Sequence, residues 1–330
     1  MLAVVLLSGC QGGILDPKGQ IGVDEKNLIL IATGLMLLVV IPVIVLTLVF
    51  AWKYRASNTS ATYDPKWSHS TKIELVVWLI PCAIVIILGT ITWVTTHTLD
   101  PYKPLEHERE PLEVEVVSLD WKWLFIYPQQ HIATVNELVI PTGVPVSFRL
   151  TSESVMNSFF IPQLGSQIYT MAAMETKLHL IADVPGTYAG FSANYSGAGF
   201  SEMKFNTIAT KDDAEFAAWV DQVKAADHRL DSEVYAQLAK PSEANPVAYF
   251  SDVQTGLFDQ IVMKFMQHHG HSAMMDDSAM KAMPDHEGHE MPAHEGHEMP
   301  AHEGHEMPMP EGHDMFMHHE HEMPHAAAGE

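Results

Sequence analysis

LEVEVVSLDWKWLFIYP, Leu112 to Pro128, decides the fold. Apolar and polar side chains alternate through its first half. Trp121, Trp123, Phe125 and Tyr127 then recur at every second position. A period of two places alternate side chains on opposite faces of a strand, so this stretch predicts half-buried β structure. Pro145 to Ser152, PVSFRLTS, repeats the pattern. Lys177 to Tyr195, KLHLIADVPGTYAGFSANY, reads as a strand, a Pro-Gly turn and a second strand, and MKFNTIAT, Met203 to Thr210, closes the series. Several short strands separated by turns within about 100 residues predict a β-sandwich over residues 111–210.

Upstream the pattern changes. Asn27 to Trp52 and Leu75 to Thr96 contain no charged residue, and each is long enough to cross about 30 Å of hydrocarbon. Two transmembrane helices are expected, at about 27–52 and 75–97. Pro42 and Pro81 lie inside them, which membrane helices tolerate when neighbouring helices supply partners. The loop between them carries Lys53, Arg55, Lys66 and Lys72 against Asp64 and Glu74, while both outer flanks are acidic. The positive-inside rule therefore puts the loop in the cytoplasm and the sandwich outside.

The N-terminus, MLAVVLLSGC, resembles a bacterial lipoprotein signal, which implies cleavage after residue 9 and a lipid anchor on Cys10. A signal peptide carries a basic n-region and none precedes this run, so the reading allows a start upstream of Met1. The formal net charge of −23 excludes nucleic acid as a partner, since phosphate binding needs clustered Lys and Arg. Cys10 and Cys82 form no disulfide framework and no thiolate metal motif.

Two helices followed by an exported sandwich are similar to subunit II of the haem–copper respiratory oxidases. KIELVVWLIP, THTLDPYKP, DWKWLFIYP and MNSFFIPQLGSQIYTM carry the resemblance, over roughly residues 10–270. It implies a membrane-anchored α+β chain with a cupredoxin-like sandwich. In the branch fed by cytochrome c this sandwich holds a dinuclear copper centre, bound by two Cys, two His, a Met and a backbone carbonyl. Carried onto this chain, those positions are Asn157, Ser192, Ser196, Phe200 and Met203, with Asn194 as the carbonyl donor. Of the side-chain ligands only Met203 matches. Soft thiolates and imidazoles hold such a centre, and a lone thioether with two hydroxyls and a phenyl ring does not. The loop GFSANYSGAGFSEMKF, Gly190 to Phe205, thus resembles the quinol-oxidising branch, and the motifs lie closest to the cytochrome bo-type ubiquinol oxidases.

That resemblance implies a non-catalytic subunit II of a proton-translocating quinol oxidase in a bacterial inner membrane, with sandwich and C-terminus in the periplasm. Quinol would be oxidised and oxygen reduced to water in subunit I, which would carry the haems and copper. No cofactor is expected in this chain. A copper-bearing subunit II of a cytochrome c oxidase is the first alternative, and the missing Cys and His argue against it. A membrane-tethered copper-binding protein acting through its tail is the second.

Three further features complete the reading. Glu74 stands at the cytoplasmic mouth of the second span. The helix dipole favours an acid there, and the resemblance implies an entrance for protons. Residues 211–270 read as a helical, aromatic-rich segment, in which Phe216, Trp219, Val220 and Val223 mark an amphipathic helix and KPSEANPVAYFSDV carries exposed-looking aromatics. Residues 271–330 carry 14 acidic residues against one lysine. Units such as MPAHEGHE recur there with a period of eight, which predicts a disordered tail. His286, His289, His294, His297, His302 and His305 could chelate copper weakly from it.

Overall fold

The computed structural model describes residues 13–61 and 68–264. Cys10 and the tail histidines lie outside them. Two long helices lead the chain, α1 (Gln20–Lys53) and α2 (Thr71–Thr98). Their apolar stretches have mean hydropathy 3.0 and 2.6 and no buried residue. A core helix of a soluble domain would bury one face, so these helices suit a hydrocarbon solvent.

α1 begins seven residues before the uncharged run. Its first turns are polar and lie against the sandwich. Gly22 N–H donates to Leu164 O at 3.1 Å, Lys18 N–H donates to Gln163 O at 2.6 Å, and Glu25 accepts a hydrogen bond from Ser166. Gly19 has no room for a side chain, because a Cβ there would lie 2.1 Å from Ile181 O.

The sandwich has a six-stranded sheet, in the order β12-β3-β2-β1-β5-β8, and a five-stranded sheet, β4-β10-β9-β6-β7. The first comprises β1 (Leu112–Leu119), β2 (Lys122–Tyr127), β3 (Ile132–Val135), β5 (Pro145–Ser152), β8 (Thr176–Ile181) and β12 (Ala248–Phe250). The second comprises β4 (Glu137–Pro141), β6 (Asn157–Ile161), β7 (Gly165–Thr170), β9 (Gly186–Ser192) and β10 (Lys204–Thr210). Parallel pairs β1–β5 and β4–β10 interrupt otherwise antiparallel ladders. Between the sheets Trp123, Phe125, Phe159 and Phe205 pack ring to ring, with Phe159 and Phe205 stacked at 5.2 Å.

Within residues 112–128, half-burial holds only for the start of β1. From Val116 to Leu119 and through all of β2, both faces are buried. The physical reason is the C-terminal segment, which covers the outer face of the six-stranded sheet. Val117, Leu119, Leu124 and Ile126 form a second core with Leu230, Phe250, Leu257 and Phe258.

That segment is not simply helical. It contains α3 (Asp213–Lys224), α4 (Ser232–Leu238), the short strands β11 (Arg229–Leu230) and β13 (Asp252–Val253), and a helix over residues 257–264. Asp212 and Asp231 cap α3 and α4 through their carboxylates, satisfying free amide donors in each first turn. β12 extends the sheet by pairing with β3, so the aromatics of AYF are not exposed. Phe250 is buried, and Tyr249 donates to Glu137 Oε1 at 2.6 Å.

Candidate functional site

Asn157 opens β6, Ser192 ends β9, and Asn194 and Ser196 lie in the loop that follows. Phe200 starts a 3₁₀ turn, Phe200–Glu202, and Met203 ends it. Pairing of β6 with β9 places Phe159 opposite Ser192. The fold thereby brings Asn157 and Ser192 together, with the loop closing over them.

Ser192 Oγ donates to Asn157 Oδ1 at 3.2 Å and lies 3.3 Å from Asn194 O. Asn157 Nδ2 donates to Val155 O at 3.1 Å and approaches Ser118 Oγ at 3.5 Å. Ser118 Oγ in turn meets Thr170 Oγ1 at 2.8 Å. Asn157, Ser192, Ser118 and Thr170 are all buried. They form a chain of neutral hydrogen bonds that satisfies most of its own polar atoms. Met203 is also buried, and its carbonyl accepts from Ser192 N–H at 3.1 Å. Ser196 Oγ is buried and has no hydrogen-bond partner among the described residues.

Trp121 fastens this loop, a role that its alternation alone did not disclose. Its backbone has φ +63°, a conformation uncommon for a residue with a bulky side chain. The indole Nε1–H donates to Ser196 O at 3.2 Å. A Cβ on Gly199 would lie 2.6 Å from the same ring. The glycines of the loop thus let its backbone lie flat on the indole. Tyr195 and Phe200 meet edge to face at 5.6 Å on the outer side of the loop.

A dinuclear copper centre does not fit this donor set. Amide, hydroxyl and phenyl groups stand where soft ligands would be needed, and Met203 is the one soft donor among those positions. Among the described residues no three His, Cys, Asp or Glu side chains converge on a common point.

Glu74 lies in the first turn of α2, whose N-cap Ser70 makes no side-chain cap bond. The aromatic residues of β2 are core: Trp123, Phe125 and Tyr127 are fully buried. Tyr127 OH donates to Val139 O at 3.0 Å and accepts from Val139 N–H at 2.9 Å. Burial pushes its pKa up.

Comparison with known proteins agrees with this architecture. Residues 110–210 match the family model of the cytochrome c oxidase subunit II periplasmic domain, and residues 224–269 match the COX aromatic rich motif. Cytochrome bo(3) ubiquinol oxidase subunit 2 of Pseudomonas putida is 61% identical over 264 residues, covering 80% of this chain and 84% of that one. The protein of the same name from Pseudomonas aeruginosa is 58% identical, over 87% of this chain and 84% of its own length. Ubiquinol oxidase subunit 2 of Acetobacter aceti is 57% identical, over 84% and 90%. With identities this high over most of both lengths, the chain belongs to the family of subunit 2 of the cytochrome bo-type ubiquinol oxidases.

Proposed function

We propose that this chain is the non-catalytic subunit II of a proton-translocating quinol oxidase in a bacterial inner membrane. Its partner, subunit I, would oxidise the quinol and reduce oxygen to water at haem and copper centres. The observation that carries this reading is the donor chemistry of the loop from Ser192 to Met203. Neutral hydrogen bonds from Asn157 and Ser192 occupy positions where an electron relay would need thiolate and imidazole. A quinol dissolves in the bilayer and reaches a membrane-embedded subunit directly, so no relay outside the membrane is required. The chain's own work is then mechanical. Its helices offer apolar surface to lipid and to subunit I, and its sandwich caps the outer face.

Purified with its partners, the complex should oxidise a ubiquinol and leave reduced cytochrome c unreacted. Oxidation of cytochrome c, or a stoichiometric coloured copper complex in this chain, would overturn the reading.

Three finer roles belong to the same proposal. Glu74, at the cytoplasmic end of α2, would feed protons toward subunit I. Glu74→Ala should then slow oxygen reduction and Glu74→Asp should slow it less, whereas unchanged turnover leaves only a role at the helix end. Cys10 would carry lipid, which Cys10→Ala should remove from the measured mass without loss of insertion, because two spans outweigh acyl chains. The tail imidazoles would bind copper at neutral pH and release Cu(II) near pH 5, as His protonates. Calorimetric titration of a peptide covering 283–314 tests this, and equal Cu(II) affinity at both pH values would assign the ion to carboxylates.

A further inference from the structure

A cavity of about 540 Å³ opens where the outer ends of α1 and α2 meet the sandwich. This volume lies in the range that holds small ligands. On α1 its wall runs through Gln20, Asp24, Asn27, Leu28 and Ile31, residues three or four apart and therefore on one face. On α2 the wall runs through Ile91, Thr95 and Thr98. The two helices run in opposite directions, yet both change from apolar to polar toward the sandwich. Asn27 is also where the uncharged stretch of α1 begins. The cavity thus straddles the level at which hydrocarbon gives way to head groups, with an apolar lower part and a polar upper part.

Its rim is charged. Asp24, Asp100 and Glu106 supply three carboxylates, and Lys103 supplies one ammonium. The sandwich contributes Ser166 and His179. The His179 ring is held in place, with Nδ1 3.0 Å from Pro101 O and Nε2 3.2 Å from Ser147 Oγ. The linker after α2 is tied to the sandwich by that contact. An anionic lipid would meet three like charges against one opposite charge. A quinol head, which is neutral, would leave all four charges without a counterpart. A zwitterion matches both signs.

We propose that this cavity binds one phospholipid with an ammonium-bearing zwitterionic head. Its ammonium lies toward Asp24 and Glu106, its phosphate beside Lys103, and its acyl chains run down Leu28, Ile31 and Ile91. A lipid so held ties α1, α2 and the sandwich together at the point where the chain leaves the membrane. The inference rests on the membrane reading of α1 and α2 given above.

The test uses the full chain with its accompanying subunits, reconstituted in vesicles of equal phosphatidylethanolamine and phosphatidylglycerol. One lipid or the other carries a photoreactive group on an acyl chain close to the glycerol. The phosphatidylethanolamine probe should label peptides containing Leu28 to Ile31 and Ile91 to Thr95 roughly tenfold more than the phosphatidylglycerol probe, as one well-made charged contact implies. Asp24→Lys combined with Glu106→Lys should reverse that preference. Leu28→Trp or Ile91→Trp, which fills the cavity, should abolish labelling there. A second probe bearing its reactive group at the acyl terminus should label α1 between Leu37 and Leu48 in every variant. Equal labelling by both lipids, labelling that survives the Trp variants, or none at the cavity in the parent overturns the site. Loss of the mid-span labelling instead overturns the membrane reading itself.

Discussion

The sandwich and the helical hairpin are built from similar side chains and treat them in opposite ways. Trp123 in β2 has no exposed surface, whereas Trp78 and Trp93 in α2 are each 71% exposed. In the sandwich, apolar area is removed from water by the chain itself. In the hairpin the same kind of area faces outward along both apolar spans, and bilayer and partner must cover it. Truncation should therefore act on folding stability in one region and on association in the other.

Trp123→Ala should give the largest effect. Its indole packs edge-on against Phe159 at 5.3 Å and Phe205 at 5.7 Å. Removing a buried ring of this size costs about 3–5 kcal/mol, readable as a fall in the denaturant midpoint of the sandwich by near-UV circular dichroism. Trp78→Ala should leave that midpoint within about 0.5 kcal/mol and instead weaken retention of the partner in detergent. Equal losses of midpoint in both variants would break the comparison.

Gly190→Ala comes next. Gly190 pairs with Phe205 across β9 and β10, and the Phe205 ring lies over it, 2.1 Å from where a Cβ would be. The ring cannot swing aside, because Phe159, Trp123 and Phe125 surround it. Overpacking of this kind costs about 1–3 kcal/mol. An unchanged midpoint would mean that the aromatic cluster is looser than its contacts indicate.

Much of this was legible in the sequence, and the gaps have physical causes. The two spans were plain because uncharged runs of that length have few other readings. The strands within residues 112–127, 145–152, 177–195 and 203–210 were plain from alternation and turns, whereas β3, β4, β6 and β7 were not singled out as strands. The double burial of β2 was not, because it depends on a segment more than 100 residues away folding back over it. β12 was hidden for the same reason: three residues, AYF, give no period, and only pairing with β3 makes them a strand. At the loop, residue types disclosed the poor fit to copper. What stands there instead, Asn157 linked through Ser118 to Thr170, comes from three different strands and leaves no local signal. Trp121 had a visible aromatic period, but its bond to Ser196 required the turn at φ +63°.

The latch between sandwich and C-terminal segment should make stability depend on pH. Arg149 pairs with Glu115 at 2.8 Å, Glu175 at 2.7 Å and Asp259 at 2.9 Å, and its guanidinium lies 4.8 Å from the centre of the Phe258 ring. Burial pushes the Glu115 carboxyl up to about 7, partly offset by Arg149 and reinforced by the neighbouring carboxylates. A raised folded-state pKa means that the folded chain keeps a proton which the unfolded chain releases. The resulting stability is fully present below the ordinary carboxylate pKa and is lost as pH rises through about 7. After allowance for solvent screening around the partly exposed Arg149, the change should be about 1–2 kcal/mol. Unfolding midpoints between pH 4 and 8 should fall with pH in the parent and flatten in Glu115→Gln. Parallel curves would assign the slope to other groups.

Ser192→Ala should have the smallest effect, and it bears on what the loop is for. If the loop is a packed cap, its hydroxyl matters mainly through Asn157, whose Oδ1 accepts from Ser192 Oγ at 3.2 Å, with longer contacts to Asn194 O at 3.3 Å and Ser158 N–H at 3.5 Å. Losing one neutral buried hydrogen bond costs about 1 kcal/mol. Asn157 keeps its bond to Val155 O, so the loop should stay in place. The expected outcome is a midpoint about 1 kcal/mol lower, with quinol oxidation by the assembled complex unchanged. Ser192→Thr keeps the hydroxyl but adds a methyl group in a buried space, so it separates packing from hydrogen bonding. A fall in turnover for Ser192→Ala with normal stability and assembly would mean that the loop does more than cap the sandwich. The contrast between a self-contained sandwich and an outward-facing hairpin would then fail at this end of the molecule.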